Sequence, residues 1–72
     1  MKKTLGKIDA LISEALSLLE ELVNEKREAF DNMSEKRQEG EAGQKISDLA
    51  DNLEAARDEL ENAQSSIQAL IE

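Results

Sequence analysis

Ile46-Ser47-Asp48-Leu49-Ala50-Asp51-Asn52-Leu53-Glu54-Ala55-Ala56-Arg57-Asp58-Glu59-Leu60-Glu61-Asn62-Ala63-Gln64-Ser65-Ser66-Ile67-Gln68-Ala69-Leu70 is the stretch whose reading decides the fold. In it Ile46, Leu49, Leu53, Ala56, Leu60, Ala63, Ile67 and Leu70 recur at alternating steps of three and four. That is the a/d spacing of a heptad, the seam of a helix packed on a neighbour. A strand would alternate with a period of two. Ala56 and Ala63 on the seam, with Ala55 at its flank, permit close approach. The spacing predicts a helix from about residue 43 to 71.

Upstream the same rule holds with a wider stripe. Leu5, Ile8, Ile12, Ala15, Leu19 and Leu22 form an a/d line. Leu11 and Leu18 add a line on one side, and Leu16, Val23 and Phe30 add one on the other. A helix with one neighbour buries only a narrow seam. Extra lines of Leu, Val and Phe therefore call for a second neighbour from another chain, and Leu11, Leu16, Leu18, Val23 and Phe30 are the expected oligomer interface. Past Val23 the line degrades, with Lys26 and Lys36 on it and only Ala29 and Met33 apolar. The first helix is expected over about 4–39, with a break near Asn32-Met33-Ser34.

Between the two lies Glu39-Gly40-Glu41-Ala42-Gly43. Two glycines three apart suit a helix–helix turn over 40–43, supplying positive φ and a C-cap. So short a connection makes the neighbours antiparallel. The expected fold is all-α: residues 1–72 form one antiparallel two-helix coiled-coil hairpin that assembles into a homo-oligomeric bundle. A single unbroken helix is the alternative.

Composition agrees. Of 72 residues 36% are charged, Pro is absent and Phe30 is the sole aromatic, which is the usage of long helices and coiled coils. A chain this short has little interior and usually needs disulfides, a metal or a partner subunit. There is no Cys and no His, so disulfides and a structural zinc are excluded and oligomerisation remains. Met1-Lys2-Lys3 before an apolar stretch imitates a leader, but Asp9, Glu14 and Glu20 interrupt it and deny a membrane span. The expectation is a cytoplasmic protein.

Charge is divided unevenly. Residues 1–38 carry seven basic and eight acidic side chains, and residues 39–72 two and nine, for a net −8. Nucleic-acid binding needs Lys and Arg to neutralise phosphates, so direct binding is not expected. Asp48, Asp51, Glu54, Asp58 and Glu61 face away from the predicted seam as an acidic stripe, with Glu54–Arg57 the one clear pair inside the helix. Such a stripe is a solvated face, or it meets a basic partner protein, in the extreme as a mimic of nucleic-acid phosphates.

Catalytic residues are not expected. The serines have no activating base beside them, and acid–base work by carboxylates needs a pocket that a helix pair does not offer. Helical di-metal sites need Glu-x-x-His, and His is absent, so neither metal nor cofactor is expected. The turn is different. Asn32, Glu35, Lys36, Arg37, Gln38 and Lys45 concentrate hydrogen-bonding groups where the heptad fails. Lys36, Arg37 and Lys45, beside the free N–H groups of a starting helix, could hold an anion such as a nucleotide signal. The plain alternative is a solvated turn.

The segment Ala29-Phe30-Asp31-Asn32-Met33-Ser34-Glu35-Lys36-Arg37-Gln38-Glu39-Gly40-Glu41-Ala42-Gly43, ahead of an acidic heptad, resembles a group of short, largely uncharacterised prophage and mobile-element proteins. In these an "Asn-Met-x-Glu-x-x-Gln-x-x-Glu-x-Gly" run joins two amphipathic helices. Asn32, Met33, Glu35, Gln38, Glu41 and Gly43 match it, and the likeness covers about residues 25–72. It implies a phage setting in the host cytoplasm and, by association, action against host defence. The expected function is that of a non-enzymatic, self-associating interaction protein, an inhibitor of a host protein if phage-encoded. The alternatives are an acidic nucleic-acid mimic and an oligomeric sponge for a nucleotide signal.

Overall fold

The computed structural model describes residues 1–71, and all but five of these are helical. Helix α1 spans Lys2–Asp31, α2 Glu35–Glu39 and α3 Glu41–Ile71. α1 packs along α3 and α2 sits against α3. The molecule is a rod of 53 × 14 × 12 Å. Its radius of gyration, 16.3 Å, exceeds the roughly 11 Å of a compact chain this long.

Cross-helix side-chain pairs give the register. Asp9 meets Gln64 and Gln68, Ser13 meets Gln64, Glu20 meets Arg57, and Arg27 meets Asp51 and Glu54. The partners descend α3 as they ascend α1.

The predicted 4–39 helix is shorter than expected. α1 stops at Asp31, where Asn32 N–H donates to Glu28 O at 3.0 Å and Met33 N–H to Phe30 O at 3.0 Å. Ser34 then starts a new helix, its Oγ accepting from Arg37 N–H at 3.3 Å. Ser is a strong N-cap, since its oxygen satisfies an amide the helix start leaves free. The Gln38 side chain donates from Nε2 to Phe30 O at 2.9 Å, taking one carbonyl exposed by the end of α1.

The glycines do not act as expected. Neither has a positive φ: Gly40, the one residue between α2 and α3, is extended at φ −86°, ψ −175°. Gly43 is helical and buried in the first turns of α3. A Cβ there would lie 2.5 Å from Arg37 O and from Gln38 Cα and would also meet Gln38 O. Gly43 is thus a close-approach residue that lets the backbone of α2 rest on α3.

The seam is also rotated from the predicted one. Leu5, Val23 and Ala50 are the buried apolar side chains among the described residues. Ile12, Leu16, Leu19 and Phe30 are half-buried on α1, as are Ile46, Leu53, Leu60 and Ile67 on α3. The line 46-53-60-67 is kept, but its inner companions are Gly43, Ala50, Arg57 and Gln64, whereas Leu49, Ala63 and Leu70 are exposed and Ala56 is half-buried. The small residues Gly43 and Ala50 allow close packing on that flank. Arg57 and Gln64 find polar partners on α1 there.

Candidate functional site

Rotation of the seam leaves one flank of α1 without a neighbour. Leu5, Ile12 and Leu19 run down the middle of its apolar surface. Leu16, Val23 and Phe30, on one side, are taken up by packing within the chain; Val23 is only 5% exposed. On the other side Ile8, Leu11, Leu18 and Leu22 stand in solvent, with half-buried Ala15 between them. Leu11 is 60% and Leu18 56% exposed. Their steps are three, four, three and four, so this is a second complete heptad seam. Of the five residues expected at an oligomer interface, Leu11 and Leu18 are therefore open to a partner, while Leu16, Val23 and Phe30 face the chain's own core. Ile8 and Leu22, read in the sequence as facing α3, belong to the open flank.

The opposite edge of the helix pair is polar. Arg27 Nη2 donates to Glu54 Oε1 at 2.6 Å and to Asp51 Oδ1 at 2.9 Å, and its Nε donates to Glu54 at 3.2 Å. The hydrogen bonds from Arg27 to Glu54 first, and then to Asp51, hold its guanidinium above the ordinary arginine pKa. Arg57 lies 3.6 Å from both Glu20 and Asp58. Its Nε is buried with no hydrogen-bond partner among the described residues. Gln64 Nε2 donates to Ser13 Oγ at 2.7 Å, and Gln68 Nε2 to Asp9 Oδ1 at 3.2 Å.

These pairs alter the acidic stripe. Asp51 and Glu54 are partly neutralised by Arg27, and Asp58 by Arg57, while Asp48 and Glu61 are exposed. The expected Glu54–Arg57 pairing within α3 gives way to two pairings across the helices. Charge complementarity over so long a sequence separation leaves no local spacing to read.

At the turn the six candidate residues do not converge. Gln38 is spent on Phe30 O, and Lys45 lies 3.5 Å from Glu41 one helical turn back. Asn32, Glu35, Lys36 and Arg37 are exposed. At the start of α3, Gly43 is covered by the backbone of α2, while Glu41, Ala42 and Gln44 are exposed. Among the described residues no three acidic side chains gather as a metal ion would need, and no helix is long and apolar enough to cross a membrane. Among the described residues a concavity is lined by Lys3, Thr4 and Lys7.

No family of known proteins, curated protein or solved structure matches the chain.

Proposed function

We propose that the chain is an antiparallel helical hairpin that acts, without catalysis, by associating with itself through the open flank of α1. The single observation that carries this reading is the exposed heptad from Ile8 to Leu22. Isolated surface leucines are ordinary, but apolar side chains at coiled-coil spacing along four turns of one helix mark a contact surface. The descending order of the cross-helix pairs supports the antiparallel course.

Surface area supports a partner as well. The chain exposes 5382 Å². A compact protein of 8.0 kDa exposes about 4,450 Å². The excess, about 900 Å², compares with the roughly 800 Å² each partner contributes to an interface of standard size.

Leu18→Glu tests the reading. Just over half of this side chain remains to be buried. With about 1.5–3 kcal/mol for complete burial, association loses roughly 2–3 kcal/mol per dimer, about a hundredfold in dissociation constant, before the cost of the new charge. Light scattering across a concentration series should show wild-type particles of more than one chain, dissociating in Leu18→Glu and retained in Glu21→Lys. A folded wild-type monomer at micromolar concentration, or equal association in both variants, would sink the proposal.

A further inference from the structure

The open flank of α1 continues onto α3. On each helix the polar cross-pairs lie on one side of the central apolar line, and because they meet directly they share one edge of the pair. The other sides therefore also share an edge. On α1 that edge carries the heptad of Leu11 and Leu18. On α3 it carries Leu49, Ala56, Ala63 and Leu70, of which Leu49 and Leu70 are 44% and 59% exposed. The apolar surface is thus a two-helix face, and a second copy laid on it completes four helices.

Two-fold symmetry allows two ways of laying it. Either α1 lies on α1 of the second copy with the turns at opposite ends, or α1 lies on α3 of the second copy with the turns together. We infer the first: α1 packs antiparallel on α1 of a second copy, centred between Ala15 and Leu18. The inference rests on the self-association reading and specifies its geometry.

Complementarity chooses between the two. Leu11 and Leu18 lie on the outermost apolar line of α1 and need apolar side chains at the equivalent line of whatever covers them. α3 carries Asn52, Glu59 and Ser66 there, whereas α1 carries Leu11 and Leu18 themselves. In the α1-on-α1 arrangement Leu18 of one copy lies over the small Ala15 of the other, a large-into-small fit of the kind that packed helices use, and Leu11 meets Leu22. Charge does not choose between the two: antiparallel copies bring Lys7 to the level of Glu25 and Glu28 of the other chain, but the same register brings Glu14 to the level of Glu21. The α1-on-α3 arrangement sets Glu21 near Glu59. The choice rests on the apolar lines.

Spin-label distances decide it. The chain has no cysteine, so Lys2→Cys and Asp31→Cys each give a single labelled position on an exposed end of α1. Centred between residues 15 and 18, the arrangement puts like labels about 44 Å apart at both positions, from the 1.5 Å rise per residue. Pulsed dipolar spectroscopy on a sample shown to be dimeric by light scattering should return that long distance from each variant. Short distances in both, within about 20 Å, would overturn this geometry in favour of turns together while leaving self-association intact. A monomeric sample with no dipolar coupling would overturn both.

Discussion

Gly43→Ala should destabilise this protein, although alanine for glycine inside a helix ordinarily does the reverse. Helix propensity alone favours the alanine by about 0.8–1 kcal/mol. Against it stands the approach of α2. The new Cβ would meet Arg37 O, Gln38 Cα and Gln38 O, all backbone atoms that cannot rotate away. Displacing α2 to accommodate it is an overpacking change of about 1–3 kcal/mol. It also strains the bond from Gln38 Nε2 to Phe30 O, a further ~0.5–1.5 kcal/mol. The balance is a loss of about 0.5–3.5 kcal/mol. Gly6→Ala is the matched control: Gly6 is helical, exposed and has nothing within 4 Å of a would-be Cβ. It should gain about 0.5–1 kcal/mol. Denaturant unfolding followed by circular dichroism, with both variants at one fixed protein concentration, reads the two signs directly. If Gly43→Ala is as stable as wild type, or more so, α2 does not rest on α3 as described.

The polar edge yields two more expectations. Arg57→Met should leave stability unchanged or raise it by up to about 1–2 kcal/mol, because it removes a half-buried guanidinium whose Nε is unpartnered and whose carboxylates lie 3.6 Å away; a marked loss in thermal unfolding would show that this pairing is net stabilising. Arg27→Gln should lower the unfolding midpoint, and the difference should shrink between low and high salt because the Arg27 pairs are solvent-accessible. A raised arginine pKa contributes fully below the unfolded value and is lost only as pH rises through the still higher folded one. The Arg27 effect should therefore be flat through neutral pH, and a change between pH 6 and 8 would contradict the assignment.

Periodicity made much of this fold legible. The four-heptad line of α3, the broader surface of α1 and the break at Asn32–Ser34 can all be read from spacing, because burial leaves a repeating imprint. What spacing could not settle was rotation. Ile46, Leu53, Leu60 and Ile67 serve equally well as the centre of a seam that turns toward Leu49 and Leu70 or toward Ala50 and Arg57. The choice falls to residues whose meaning depends on a distant partner: Ala50, small enough for close packing, and Arg57 and Gln64, paired with Glu20 and Ser13. For the same reason Val23 reads as an exposed contact and Ile8 as core, and the structure exchanges them. Gly43 was misread because a glycine near a turn is commonly a positive-φ residue. Here the need is the absence of a side chain, which shows only when α2 is seen lying against it. At the turn, spacing did not announce the bond from Gln38 back to Phe30 O, which ties α2 to the end of α1.

The cross-helix pairs also set an order of assembly. Arg27 and Asp51, next to the turn, are 24 residues apart in the chain, whereas Asp9 and Gln68 are 59 apart. Bringing the distant ends together has an entropic penalty about 0.8 kcal/mol greater than closing the near ones. The near end also holds the Ser34 cap, the Gln38 strap and the α2 contact at Gly43, all made over short range. Helix pairing is thus easiest to begin at the turn and to extend toward the termini, like a zip closed from its stop. Ile8 and Leu11 then lie on the stretch of α1 that docks late, and a chain still open at that end would present both of its apolar flanks to solvent at once.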